Sequence, residues 1–256
     1  MRLDRRSLIA GLAAFPLIAA KAGPEEGAPQ TLELPIPDMK RLSATVWVGK
    51  LADGVWLTCF TSKLPGQGWY PANGMIVAGA DGATIVDPGW STEQGKLILE
   101  TTASLTGSKI ARGIATHYHS DRTGGIGACT TAGVPVYANP LSVGLAQAYG
   151  DPVPQPVKGL EKDAQQLGPV ELYFPGTGHT RDNITVWHAP SRTLFGGCLI
   201  KSVTSKDLGN TVDGDLSAYG PTVARLAARY SSRRWTIPGH GTIAGDAIAW
   251  TRKLAA

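Results

Sequence analysis

Thr116-His117-Tyr118-His119-Ser120-Asp121-Arg122-Thr123-Gly124-Gly125 is the stretch whose chemistry decides the fold. Two histidines and an aspartate alternate directly after the short apolar run Ile114-Ala115. A strand that ends there releases His117, His119 and Asp121 into a tight loop where all three can converge. Neutral imidazole and carboxylate are good ligands for Zn²⁺, and three such groups in five residues point to a metal site. The competing reading is a polar turn whose histidines happen to be neighbours, and the rest of the chain argues against it.

Three further segments place a metal-binding side chain just past an expected strand. Phe174-Pro175-Gly176-Thr177-Gly178-His179 puts a histidine in a glycine-rich turn. Gly196-Gly197-Cys198 does the same with a cysteine, and Ile237-Pro238-Gly239-His240 with a last histidine. Loops at one rim of a rigid scaffold are where ligands from distant parts of a chain can meet. Of the five histidines in the sequence, four lie in these segments. The fifth, His188, ends an alternating strand and reads as a surface or strand-end residue. Cys59 and Cys129 read as small core residues.

Working outward, 256 residues at 43% hydrophobic suffice for one substantial domain. The 32 glycines and 18 prolines favour many short elements over a helical array. Of the formal charge of +4, Arg2, Asp4, Arg5, Arg6 and Lys21 supply +3, so the remainder is nearly neutral. That excludes a nucleic-acid footprint, since no basic stripe with interleaved aromatics is present. Arg5-Arg6 followed by the apolar run Leu8 to Ala20, then Ala20-Lys21-Ala22, reads as a cleavable export signal over residues 1–22. The paired arginines suggest the twin-arginine type, with a Sec signal as the alternative. The run is too short to span a bilayer, so a periplasmic protein without stable membrane insertion is expected.

Residues 23–41, rich in Pro, Glu and Gly, read as a flexible lead-in, and residues 42–256 as one domain. Strands are expected at 43–48, 55–60, 73–77 and 83–87, with a turn at Asp81-Gly82. A helix from Thr92 to Leu105, capped by Ser91 or Thr92, and one from Pro140 to Tyr149 follow. Asp151 to Gly168 reads as a loop. Beyond it come strands at 170–174, 184–187, 193–195 and 235–237. The helix Asp215 to Tyr230 shows Leu216, Tyr219, Val223, Leu226 and Tyr230 along one face. Strands lead and a helix follows in each half, which suggests two sheets packed face to face with helices outside.

Taken together these motifs resemble those of the metallo-β-lactamase superfamily, and more narrowly the di-zinc β-lactamases whose second zinc is held by a cysteine. The resemblance runs from about Thr45 to the C-terminus. It is carried as well by Gly196-Gly197-Cys198-Leu199-Ile200-Lys201 and Leu208-Gly209-Asn210. It implies an α/β fold, a four-layer αββα sandwich of two mixed sheets. It implies two Zn²⁺ per chain, the first held by His117, His119 and His179 and the second by Asp121, Cys198 and His240. It implies hydrolysis of penicillins, cephalosporins and carbapenems by hydroxide generated at the metal, with no covalent intermediate. Asp121 would orient that nucleophile, Asn210 would stabilise the oxyanion and Lys201 would pair with the substrate carboxylate. The hairpin loop from Thr61 to Asn73 would cover the substrate through Trp69 or Leu64. Asp87 and Arg122 would lie beneath the metal ligands. The partner is then a small β-lactam, and a monomer is expected. Superfamily lactonases and thioesterases usually carry a histidine after the motif aspartate and an aspartate at the cysteine position. Arg122 and Cys198 stand here instead. A lactonase-like hydrolase remains the alternative enzyme, and an exported zinc-binding protein the non-enzyme one.

Overall fold

In a computed structural model describing residues 32–66 and 68–256, the first half of the chain builds one sheet strand by strand. β1 (Lys40–Arg41), β2 (Val46–Ala52), β3 (Val55–Leu64), β4 (Gly68–Val77) and β5 (Ala83–Val86) pair with their neighbours antiparallel. Helix α1 (Thr92–Thr106) then returns the chain, and β6 (Ile110–Ile114) joins β5 in parallel. Helices α2 (Ser120–Thr123) and α3 (Ile126–Thr131), strand β7 (Val136–Ala138), helix α4 (Pro140–Tyr149) and strand β8 (Gln155–Pro156) follow, with parallel pairing continued.

The second sheet has β9 (Gln165–Leu167), β10 (Val170–Tyr173), β11 (Thr185–His188), β12 (Thr193–Gly197) and, after α5 (Leu216–Arg229), β13 (Trp235–Pro238). Its pairs are antiparallel except for β12 with β13, and α6 (Ala247–Leu254) closes the chain. Both sheets are mixed, as expected.

The layers follow from strand alternation. Along β3, Val55, Leu57 and Cys59 face the second sheet, whereas Trp56 and Phe60 face the helices. The core between the sheets joins Leu57, Met75, Val86 and Ile114 to Leu172, Val186, Phe195 and Ile237. A second core lies between the large sheet and α1 and α3, through Ile76, Ile85, Ile98 and Cys129. A third, with Leu194, Tyr219, Val223, Leu226 and Ile248, joins the small sheet to α5 and α6. The architecture is therefore the four-layer αββα sandwich. Each fully buried aliphatic contributes about 1.5–3 kcal/mol by leaving water.

Helix boundaries have local causes. Ser91 accepts the Gln94 N–H at the start of α1, and Gly107 ends it at φ 62°. Asn139 accepts from Leu141 N with Pro140 in the first turn of α4, and Asp215 accepts from Ala218 N in α5.

Several expectations change in detail. The segment 151–168 holds β8 and β9, which at two and three residues are too short for periodicity to reveal. Leu216 lies in the first turn of α5 and is 61% exposed; the buried stripe starts at Tyr219 and includes Thr222. The proposed signal, residues 1–22, lies outside the described residues, as do residues 23–31 of the lead-in. From Leu32 onward that lead-in is docked: Leu32, Leu34 and Ile36 pack on the inter-sheet core, and Pro35 O accepts from Ile243 N at 3.1 Å. Among the described residues no helix is long and apolar enough to cross a membrane.

Candidate metal centre

Strand direction brings the candidate ligands to one rim. β5 and β6 run parallel, and the alternating pairings of the small sheet align β10, β12 and β13. Asp87 follows β5, His117 and His119 follow β6, His179 follows β10, Cys198 follows β12 and His240 follows β13. Two hydrogen bonds tie the sheets together at this rim. Ile184 N donates to Thr116 O at 2.8 Å, and Asn73 N to Gly239 O at 2.8 Å. The tight loop expected for the motif ends at His119; Asp121 sits in the first turn of α2.

The six side chains fall into two triads. His117, His119 and His179 bring one ring nitrogen each within 4.8 Å of one another, with ring centroids 4.7 to 5.4 Å apart. Asp121, Cys198 and His240 form the second set, also within 4.8 Å. There Cys198 Sγ lies 3.1 Å from His240 Nε2, and Asp121 Oδ2 lies 3.3 Å from the same nitrogen.

Both triads fit zinc on their own chemistry. Both ring nitrogens of His117 and of His179 are buried without a hydrogen-bond partner. Burial also holds both imidazoles well below the ordinary histidine pKa, hence neutral, as ligands must be. Orphaned buried polar atoms are costly, and a bound cation would remove that cost. The second set offers a carboxylate, a sulfur and an imidazole, a combination suited to Zn²⁺.

Arg122 organises the second triad. Its side chain is fully buried. One guanidinium nitrogen donates to Asn73 O at 2.7 Å and to Asp87 Oδ2 at 3.2 Å. The other reaches Cys198 Sγ, Gly239 O and Asp121 Oδ2, each at 2.9 Å. Burial opposes ionisation of Asp121, but Arg122 and His240 outweigh it and hold the carboxyl well below its usual range. For His240, burial is likewise overcome by Cys198 and Asp121, and the pKa rises to about 9. Its Nδ1 faces Pro71 O at 2.5 Å, which fixes the ring and leaves Nε2 toward the triad.

Asp87 supports the motif loop from below. Its carboxylate accepts from Thr116 N and from Thr116 Oγ1, both at 2.8 Å. It sits in the left-handed region at φ 53°, a conformation uncommon outside glycine that aspartate tolerates better than most residues. Burial raises its pKa to about 7, against the opposing pull of Arg122 and Thr116. Asp87 and Arg122 thus pack against the two candidate triads, Asp87 through Thr116 and Arg122 through Asp121 and Cys198. Glycine is required at Gly239, where a Cβ would come within 2.7 Å of Cys198 N and Sγ.

Above the triads opens a cleft of about 740 Å³. Lys201 and Asn210 both line it. Lys201 is only 8% exposed, and burial lowers its pKa. Asn210 is exposed at the rim, its Oδ1 accepting from Val212 N at 3.1 Å. Leu64 also lines the cleft, but Trp69 does not. The expected loop is a continuation of the β3–β4 hairpin, in which Trp69 pairs with Lys63 and Tyr70 with Ser62. Period-two alternation turns Tyr70 toward the cleft and Trp69 away. Tyr70 stacks at a tilt on His240, centroids 4.8 Å apart.

Other participants gave no signal in the sequence. Asp213 Oδ2 meets His119 Nε2 at 3.1 Å, a partner that leaves Nδ1 for a metal. Asn73 is fully buried and donates to Pro238 O and Gly241 O, clamping the His240 loop. In the sequence Asn73 reads only as the first residue of a strand and the end of the hairpin loop. His188 is buried, not superficial, and its Nδ1 lies 2.7 Å from Ser191 Oγ, away from both triads.

Residues 67–240 match the metallo-β-lactamase superfamily. Among curated proteins, the metallo-β-lactamase type 2 of Bacteroides fragilis is 31% identical over 217 residues, 84% of this chain and 87% of the relative. That of Bacillus cereus is 31% identical over 212 residues, 81% of each. Among solved structures, a metallo-β-lactamase from Erythrobacter litoralis superposes with a TM-score of 0.81 at 34% identity, covering 85% of this chain and 99% of that one. An enzyme from Pseudomonas aeruginosa in a mono-zinc form gives 0.78 at 32% identity, covering 82% and 95%.

Proposed function

The chain belongs to the metallo-β-lactamase superfamily, and we propose that it is a zinc-dependent β-lactamase holding two zinc ions, one in each triad. Penicillins, cephalosporins and carbapenems are its proposed substrates. The observation that carries this reading is the meeting of both triads with Lys201 in one cleft.

Zinc bound there supplies a Lewis acid that lowers the pKa of water and offsets negative charge developing on oxygen. The protein does the rest. Asp121, kept ionised by Arg122, accepts a hydrogen bond from the attacking water and so aims its lone pair at the lactam carbonyl carbon. The Lys201 ammonium pairs with the carboxylate of the bicyclic substrate and fixes its approach. The Asn210 amide donates to the carbonyl oxygen as it becomes an oxyanion. As the new C–O bond forms, the C–N bond breaks, and the proton given up by the attacking water ends on the nitrogen. No side chain forms a bond to the substrate, because Cys198 is engaged in the second triad. Leu64 and Tyr70 cover the apolar part of the ligand and keep bulk water out.

Export supports a role against antibiotics outside the cytoplasm: Arg5-Arg6 and the apolar run to Ala20 address the chain to the periplasm, where it acts as a monomer. The curated relatives named above are metallo-β-lactamases, which favours this reading over a lactonase or a zinc-storage protein. The test is turnover of a chromogenic cephalosporin and a carbapenem by protein starting at Gly23. Activity abolished by chelator and restored by zinc is expected. Inactivity with both triads loaded would contradict it.

A further inference from the structure

The two sides of the cleft differ in charge. Lys201 stands with the second triad, among Cys198, Asp121 and Asp207. On the side of the first triad, α4 ends at Gly150, whose left-handed φ of 73° turns the chain sharply. That turn delivers Asp151 to the cleft wall beside Tyr149, the last residue of the helix. The Tyr149 ring lies 5.1 Å from Tyr118, which in turn lies 4.5 Å from His119.

Asp151 differs from the other two carboxylates that line the cleft outside the triads. Asp213 is engaged by His119, and Asp207 accepts the Gly209 N–H at 2.8 Å. Among the described residues, no lysine or arginine lies within ion-pair distance of Asp151. Burial raises its pKa, and only His119 pulls the other way. A half-buried carboxylate that lines the substrate cleft with Tyr149 and has no cation of its own is suited to an organic ammonium.

We propose that Asp151 and Tyr149 form a subsite for a cationic amine on the acyl side chain of the substrate. The proposal rests on the β-lactamase reading and names a substrate class within it. With the substrate carboxylate held by Lys201, the far end of the molecule reaches the wall where Asp151 stands. An ammonium there meets the Asp151 carboxylate, with the Tyr149 side chain in the same wall. Asp151 is then a specificity residue with no part in bond breaking.

The test compares benzylpenicillin with ampicillin, which differ by one amine on the acyl side chain. It is run on the zinc-loaded protein at pH 7, below the usual α-amino pKa of about 7.7–8.0. Asp151→Asn should lower kcat/KM for ampicillin by about fivefold, mostly through KM, and leave benzylpenicillin within about twofold, as for a partly exposed ion pair. Asp151→Glu should restore part of the preference, and added salt should erode it in the wild type. Equal loss on both penicillins, or an unchanged ratio between them, would overturn the subsite. A zinc-loaded wild type that turns over neither compound would overturn the hydrolase reading, and the subsite with it.

Discussion

The two triads are built on opposite principles. His117 and His179 are buried with no hydrogen-bond partner at any ring nitrogen, whereas Asp121, Cys198 and His240 are tied to one another and to Arg122. The first set is a hole in the hydrogen-bond network that a cation fills. The second is already a satisfied ionic cluster, in which a buried guanidinium supplies positive charge beneath the ligands. The lesson is that loading the first set relieves a cost of folding.

Removing Arg122 should expose that difference most. Arg122→Ala leaves Asp87 and Asp121 buried without their cation, and a loss of about 3–5 kcal/mol is expected. At about 2–4 °C per kcal/mol this is a large fall in Tm, readable by calorimetry. A metal-free variant as stable as the wild type would remove Arg122 from its central place. The first set is probed more gently through its one anchored member. Asp213→Asn weakens the hold on His119, and zinc affinity should drop about 10–100-fold in a competition titration. Affinity unchanged would show that Asp213 does not orient the ring.

A substitution inside the first set should do what none in the second can. His179→Leu replaces an unpartnered buried imidazole, so the metal-free protein should unfold at equal or higher denaturant, by up to about 1 kcal/mol. Turnover should vanish in the same variant. Marked destabilisation would mean that the first triad is structurally satisfied without metal. The smallest effect is expected far from the cleft. Burial lowers the pKa of His188, so the folded state binds its proton less readily than the unfolded chain. Stability from this residue is full above the unfolded pKa of about 6.5 and declines as pH falls below it. His188→Gln should flatten the wild-type slope of stability against pH in that window, and parallel curves would refute the assignment.

All six positions of the two triads could be read from the sequence: His117, His119 and Asp121 alternate just after an apolar run, and His179, Cys198 and His240 each adjoin a glycine past an expected strand. The αββα layering could be read from strand alternation together with the resemblance those motifs carry. What stayed hidden depended on contacts between distant segments. Asp213 looks like any loop acid until α5 brings it to His119, ninety-four positions away in sequence. Asn73 looks like the first residue of a strand but clamps the loop of His240. Trp69 is the large aromatic of the hairpin, yet the strand's alternation puts Tyr70, not Trp69, in the cleft wall. Side-chain direction in a hairpin depends on register, and register is set by pairing that composition does not show.

The measurement that tests the central claim most directly is a zinc titration of the metal-free protein with cephalosporin turnover followed at each step. The account predicts no turnover without metal, activity that rises with added zinc, and saturation at two zinc ions per chain. Turnover that persists in chelator, or that ignores zinc altogether, would contradict it.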